Sequence, residues 1–155
     1  MTDASPASTR IDPRGPRFAA GLTAVILATA LVLGPGAGLP LLVVQLVAFA
    51  AGATALRYQP WGLVFKHLVR PRLQPPSELE EQAPPRFAQL VGLLFAVTGV
   101  LGALLGAPVV FYVAVGFALV AALLNAVFDF CLGCEVFLLG RRLLGRSRPA
   151  TSPAQ

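Results

Sequence analysis

Four runs without a single charged side chain set the limits on what this chain can fold into: Phe18–Leu33, Leu41–Leu56, Phe87–Leu105 and Val109–Phe128. In hydrocarbon the backbone must satisfy its own hydrogen bonds, so an apolar run of this length is a helix or it is nothing. A span needs roughly twenty apolar residues. The first two runs are slightly short, but the apolar turn joining them can sit in the outer interface. Charged residues make up only 12% of the chain, against roughly a quarter in soluble domains. The expected fold is an all-α membrane protein. It has four transmembrane helices, arranged as two helical hairpins in parallel repeat, each followed by a short interfacial helix on the cytoplasmic side.

The segments between the runs fix the orientation. Gly34-Pro35-Gly36-Ala37-Gly38-Leu39-Pro40 and Gly106-Ala107-Pro108 are turns by composition. All twelve Lys and Arg residues lie before Phe18, from Arg57 to Arg86, or from Arg141 onward. The positive-inside rule then places both termini and the middle segment in the cytoplasm and the two short turns outside, in the cell's inner membrane. A cleaved signal peptide ending near Ala28-Thr29-Ala30 is the competing reading of the first run, but a second apolar run follows at once, as in a retained hairpin. Residues 1–17 and 145–155 read as disordered cytoplasmic tails around a membrane domain over 18–144. Within the middle segment, Pro60 breaks the preceding helix. Trp61–Leu73 reads as a basic amphipathic helix with Trp61 at the water–lipid boundary, and Gln74–Pro85 as an aqueous loop. The net charge of +5 belongs to juxtamembrane anchors. It forms no stripe with interleaved aromatics, so nucleic acid is not an expected partner.

The chain also repeats itself. Pro16-Arg17-Phe18-Ala19 matches Pro85-Arg86-Phe87-Ala88, Gly38-Leu39-Pro40 matches Gly106-Ala107-Pro108, and Phe49-Ala50 matches Phe117-Ala118. His67-Leu68-Val69 aligns loosely with Phe137-Leu138-Leu139. The two units, 16–73 and 85–144, each cross the bilayer an even number of times and so share one orientation.

The candidate chemistry is concentrated in Asp129-Phe130-Cys131-Leu132-Gly133-Cys134-Glu135, which follows the fourth run and holds both cysteines of the protein. A Cys-x-x-Cys pair can close a disulfide, hold a metal or carry a persulfide. Helical spacing puts both sulfurs on one face. Asp129 is the expected N-cap of the last short helix, which places Cys131 in its first turn, where the helix end favours a thiolate. A static structural disulfide does not suit a reducing cytosol, and an inert packing role for the pair is the bland alternative. Asp129 and Glu135 have two readings. They could modulate the thiols, their negative charge opposing the helix end; or Asp129 could simply cap and Glu135 pair with Arg141 or Arg142. His67, the single histidine, could complete a zinc site with Cys131 and Cys134, or simply lie at the interface. Gln45 and Asn125, each isolated in a span, suit interhelical hydrogen bonds, and Gly102-x-x-x-Gly106 suits close packing, including a homodimer. No phosphate loop, Ser/His/Asp set or pair of catalytic carboxylates is present, and no cofactor is expected.

The Pro-Arg-Phe starts, the basic segment ending Val69-Arg70-Pro71-Arg72-Leu73, and Phe130-Cys131-Leu132-Gly133-Cys134-Glu135 together resemble a bacterial membrane family, domain of unknown function 4395. The resemblance covers about residues 10 to 145. It implies a small multi-pass protein that accompanies thioredoxin-like or rhodanese-like proteins, and assigns no activity. Three readings follow. The first is a thiol or sulfur relay at Cys131 and Cys134, with Cys131 attacking and Cys134 resolving. The second is a non-catalytic scaffold that docks a soluble partner, and the third is the zinc site. Converting both cysteines to serine separates them, since only the scaffold is indifferent. On the orientation drawn here, a membrane-impermeant thiol reagent leaves the reduced pair unlabelled in intact cells and labels it in inverted vesicles. Labelling from outside alone reverses the topology.

Overall fold

The computed structural model describes residues 10–145, so the tail assignments for 1–9 and 146–155 lie outside the described residues. Residues 10–17, expected in the first tail, are structured. Arg10–Ile11 (β1) pairs antiparallel with Glu80–Glu81 (β2), Arg10 facing Glu81. Asp12 accepts from the backbone N–H of Arg14 at 3.0 Å and from its guanidinium at 2.9 Å, and Arg14 begins the first helix. That hydrogen-bonded guanidinium holds the Asp12 carboxyl below its ordinary range, although burial opposes it.

The helices are α1 (Arg14–Ala37), α2 (Leu39–Thr54), α3 (Pro60–Val64), α4 (Ala83–Leu104), α5 (Pro108–Phe128) and α6 (Leu132–Gly145). Helices α1, α4 and α5 are long and apolar enough to cross a membrane, and α2 is a shorter apolar helix. Outward-facing Val32, Leu94, Leu101, Val113 and Val120 are exposed, far more apolar surface than a soluble monomer tolerates. The protein is a membrane-associated helical protein. Helix α1 breaks where the turn was expected: Gly34 has φ +76°, which L side chains rarely adopt, and Gly106 makes the second turn at φ +71°.

Four helices close a ring. Helix α1 packs on α2 and α5, and α4 packs on the same two from the other side. The core inside the ring is Leu27, Leu42, Phe49, Ala96, Phe111, Val115 and Ala118. Small residues bring the backbones together, as in membrane bundles generally. A Cβ on Gly102 would lie 2.8 Å from the Phe111 nitrogen. Gly102 therefore serves the α4–α5 contact and Gly106 the turn.

A buried polar pair, Gln45 and Thr23, sits among these helices. Gln45 is 0% exposed, donates to Thr23 Oγ1 at 3.1 Å and accepts from Trp61 Nε1 at 3.1 Å. The expected interhelical bond thus extends to Trp61, whose indole reaches inward instead of only marking an interface. Asn125 is half-buried on α5.

At one end of the ring the helix termini are tied across it. The guanidinium of Arg17, at the start of α1, donates to the Ala126 carbonyl at 3.0 Å and the Val127 carbonyl at 3.4 Å, at the end of α5. Arg86, at the start of α4, donates to the Ala53 carbonyl at 3.2 Å and the Thr54 carbonyl at 2.8 Å, at the end of α2. The last carbonyls of a helix lack partners within it and carry partial negative charge, so a cation there answers both needs. Beside each arginine a phenylalanine stacks on the following short helix. Phe18 meets Phe65 and Phe87 meets Phe137, both at 5.7 Å between ring centroids.

The expected amphipathic helix over Trp61–Leu73 is helical but not uniform. Helix α3 opens into a π turn at Phe65–Val69 and tightens into a 3-10 turn at Arg70–Arg72. Pro71 has no N–H to return to the carbonyl of residue 67, so α-helical pairing cannot continue there.

The Gln45 centre generates a test. Gln45→Leu leaves the Trp61 N–H buried and unpaired and lowers unfolding stability in detergent by about 1–2 kcal/mol. Adding Trp61→Phe recovers part of that loss. Equal stabilities for all three proteins mean that the amide contributes nothing.

Candidate thiol site

The chain reaches the cysteines through a tight stop. Asp129 ends α5 in the left-handed conformation, φ 56° and ψ 29°, which aspartate tolerates better than most residues. The N–H groups of Asp129 and Phe130 both point back to the Leu124 carbonyl, the second at 3.1 Å, satisfying a terminal acceptor of α5. Asp129 is therefore the stop of α5 and not the N-cap of α6. This corrects the expectation from sequence: the reversal consumes Asp129 and Phe130 before the next helix can start.

Cys131 takes the capping role itself. Its carbonyl accepts the first bond of α6, from the Glu135 N–H at 3.0 Å. Its Sγ accepts from the Cys134 N–H at 3.3 Å, as a serine or aspartate oxygen does at an ordinary N-cap. Cys131 thus stands one position ahead of the first turn, at the end of a 14-residue helix. Cys131 and Cys134 are joined as a disulfide, with their Cα atoms 5.2 Å apart, and both residues are half-buried.

Of the two residues between them, the second has a packing reason to be glycine. A Cβ on Gly133 would fall 2.6 Å from the Ala88 Cα, so the first turn of α6 lies directly on the backbone of α4. The Phe87–Phe137 stack clamps the next turn, and Arg141 lies over Phe137 with its guanidinium carbon 5.9 Å from the ring centroid.

The remaining candidates are not gathered here. Asp129 and Glu135 are exposed, so solvent screens their effect on the sulfurs. Arg141, offered as a partner for Glu135, reaches Glu81 at 3.5 Å instead; with both side chains exposed, that pair contributes little. His67 is exposed on the π turn. Among the described residues no group of three or more His, Cys, Asp or Glu side chains is placed to hold a metal, and the sulfurs are bonded to each other. His67 is not gathered with Cys131 and Cys134 in this structure.

Sequence reasoning passed over Gln59. At the start of α3 its Oε1 accepts from the Gly62 N–H at 3.0 Å, the same cap that Cys131 makes to Cys134. The same step in sequence separates Gln59 from Cys131, Gly62 from Cys134 and Phe65 from Phe137. Phe65, and not His67, makes the contact that Phe137 makes. The available signal was Pro60, a residue favoured at the first helical position and hence a marker of the cap before it.

A model of the family described as Domain of unknown function (DUF4395) matches residues 11–142. No curated protein and no solved structure matches the chain.

The cap makes the two thiols unequal once the disulfide is reduced. A thiolate at Cys131 accepts an N–H at a helix N-terminus. Cys131 in Cys134→Ser should alkylate about fivefold faster at neutral pH than Cys134 in Cys131→Ser, the equivalent of roughly 1 kcal/mol. Equal rates leave the cap without chemical consequence.

Proposed function

The chain belongs to the family described as Domain of unknown function (DUF4395), and we propose that it is a membrane thiol–disulfide relay working through Cys131 and Cys134. The observation that carries this reading is the disulfide closed at the N-cap of α6, with Cys131 Sγ held by the Cys134 N–H. The arginine distribution supports a cytoplasmic position for this end of the bundle. Disulfides there are mostly transient and catalytic, so a closed pair on that side suits a relay better than a staple.

The reading takes all four apolar helices as spans. At 1.5 Å per residue α2 covers about 24 Å of a hydrocarbon layer of roughly 30 Å, a mismatch that local thinning accommodates. Supporting two parallel hairpins are the matched ties of Arg17 and Arg86, the matched ring stacks, and the matched caps of Gln59 and Cys131.

The relay step balances with a thioredoxin-like partner. The Cys131 thiolate attacks one sulfur of the partner's disulfide, and the other sulfur leaves as a thiolate and takes a proton. The Cys134 thiolate then attacks Cys131 in the mixed disulfide, closing the pair and expelling the partner's second sulfur, which is also protonated. Two electrons and two protons pass to the partner, and the reverse sequence reduces the pair. A rhodanese-like partner bearing a persulfide enters at the same atom. Cys131 takes the outer sulfur, the partner leaves as a thiolate, and attack by Cys134 closes the disulfide and releases hydrosulfide.

The expected trapping result is asymmetric. Cys134→Ser accumulates a mixed disulfide with a cytoplasmic thioredoxin-fold protein, seen as a reductant-sensitive mass increase, whereas Cys131→Ser does not. The double serine variant inserts normally. If that variant also supports full function in cells, the relay is wrong and the scaffold stands.

A further inference from the structure

Away from its cap, α6 has a side that the rest of the chain does not use. Leu132, Val136, Leu139 and Leu143 recur at steps of four, three and four, which stacks them along one side of the helix. Val136, Leu139 and Leu143 are 56, 57 and 60% exposed, so the described residues leave this stripe uncovered.

What lies against the stripe follows from direction, continuity and charge. Gly133 rests on Ala88 and, one turn further on, Phe137 stacks on Phe87. Four residues of α6 thus advance one residue along α4, so α6 crosses the start of α4 instead of following it. Where α4 spans the bilayer, α6 then lies along its surface. The exposed apolar surface also runs on from α5. Val113, Val120 and Val127 share its outer face, and exposed Phe128, Phe130 and Leu132 lead from that face to the stripe. Glu135, Arg141 and Arg142 stand off the stripe, and the sequence adds Arg146 and Arg148 directly after the helix. An apolar stripe bordered by an excess of arginine suits a helix held in a lipid surface, with the guanidinium groups at the headgroups. The first half offers no equivalent: its short helix opens at Phe65–Val69, and Trp61 turns inward onto Gln45.

We propose that α6 docks on the phospholipid of the inner leaflet through Leu132, Val136, Leu139 and Leu143, and that this seating turns the disulfide toward water. Cys134 stands two residues after Leu132 and two before Val136. At 3.6 residues per turn it points about 200° around the axis from either, on the side of α6 away from the stripe. Cys131 is bonded to it, so both sulfurs share that side. A partner in the aqueous phase reaches the pair, whereas a redox carrier dissolved in the bilayer meets leucine. This consequence rests on the relay read above and narrows its partner to a water-soluble protein. The seating itself rests only on the bundle spanning the bilayer.

The test uses the full-length protein in nanodiscs of phosphatidylcholine and phosphatidylglycerol, whose two faces are both open to reagents. A single tryptophan reports position, Leu139→Trp on the stripe or Leu138→Trp toward the sulfurs, each combined with Trp61→Phe to remove the native indole. Lipids brominated in their acyl chains quench Leu139→Trp about twofold or more beyond Leu138→Trp, and acrylamide in the water gives the reverse order. Labelling tests the sulfur side. In reduced protein a charged maleimide modifies Cys134 in Cys131→Ser about fivefold or more faster than the cysteine of Leu139→Cys in the double serine variant, since apolar surroundings suppress the thiolate. The seating is overturned if bromine quenches both tryptophans alike, or if acrylamide reaches Leu139→Trp as readily as Leu138→Trp. It is overturned too if neither quencher reaches Leu139→Trp, because a second copy of the chain then covers the stripe. Equal labelling of the two cysteines overturns the aqueous orientation of the pair. Trapping of the mixed disulfide decides the relay separately, so the two readings fail in different experiments.

Discussion

A helix leaves its terminal N–H and C=O groups without partners, and in an apolar setting water cannot supply them. Much of the order at one end of this bundle follows from that requirement. Arg17 and Arg86 answer the carbonyls at the ends of α5 and α2. Asp129 and Phe130 turn their own N–H groups back onto Leu124. Gln59 and Cys131 answer the N–H groups that open α3 and α6. Because each arginine reaches a helix from the other side of the chain, these end contacts also join the two halves, which would otherwise meet mainly through apolar faces.

The same requirement puts the cysteines where chemistry is accessible. A sulfur in the body of a membrane helix would face lipid or core. At the N-cap Cys131 faces the end of α6, where the N–H of Cys134 is free to bond it. As a thiolate it is the better acceptor, so the helix end stabilises the reduced pair more than the oxidised one and makes the disulfide easier to reduce. Glu135 opposes this from the first turn, but it is exposed and screened. Gly133 completes the arrangement, because only without a Cβ can the turn carrying both sulfurs lie on Ala88. Asp129 and the Phe-Cys-Leu-Gly-Cys motif after it thus join a stop, a cap, a close contact and a disulfide in consecutive residues.

The apolar runs, both turns and the family were legible in the sequence, because length, charge exclusion and the Gly/Pro punctuation act locally. Gln45 was legible too, as a lone amide in an apolar run must find a partner. The misses share a different cause. Asp129 read as a helix start because aspartate favours N-caps, yet aspartate also tolerates the left-handed stop, and one-dimensional spacing does not separate the two. Gly102-x-x-x-Gly106 announced close packing, which Gly102 makes, but not that the surface it meets is the start of α5 at Val110 and Phe111. Arg17 and Arg86 read as interfacial anchors, and their acceptors, more than thirty residues away for Arg86 and over a hundred for Arg17, are visible only in space. His67 does not align with Phe137, because the equivalence of the two short helices runs through their caps and their ring contacts, Gln59 with Cys131 and Phe65 with Phe137, and not through their basic residues.

The two caps show how a duplicated hairpin could divide its labour. Gln59 and Cys131 solve one backbone problem with different atoms, and the atoms differ in what they can become. An amide oxygen keeps its hydrogen-bonding character under all conditions a cell offers, so α3 has a permanent cap. Sulfur changes state, so at α6 the capping atom is also the reactive one. Opening and closing the disulfide then alters one hydrogen bond at the end of a helix that is held elsewhere, by Gly133 on Ala88 and by Phe137 on Phe87. Those contacts seat α6 on α4 through groups other than the sulfurs.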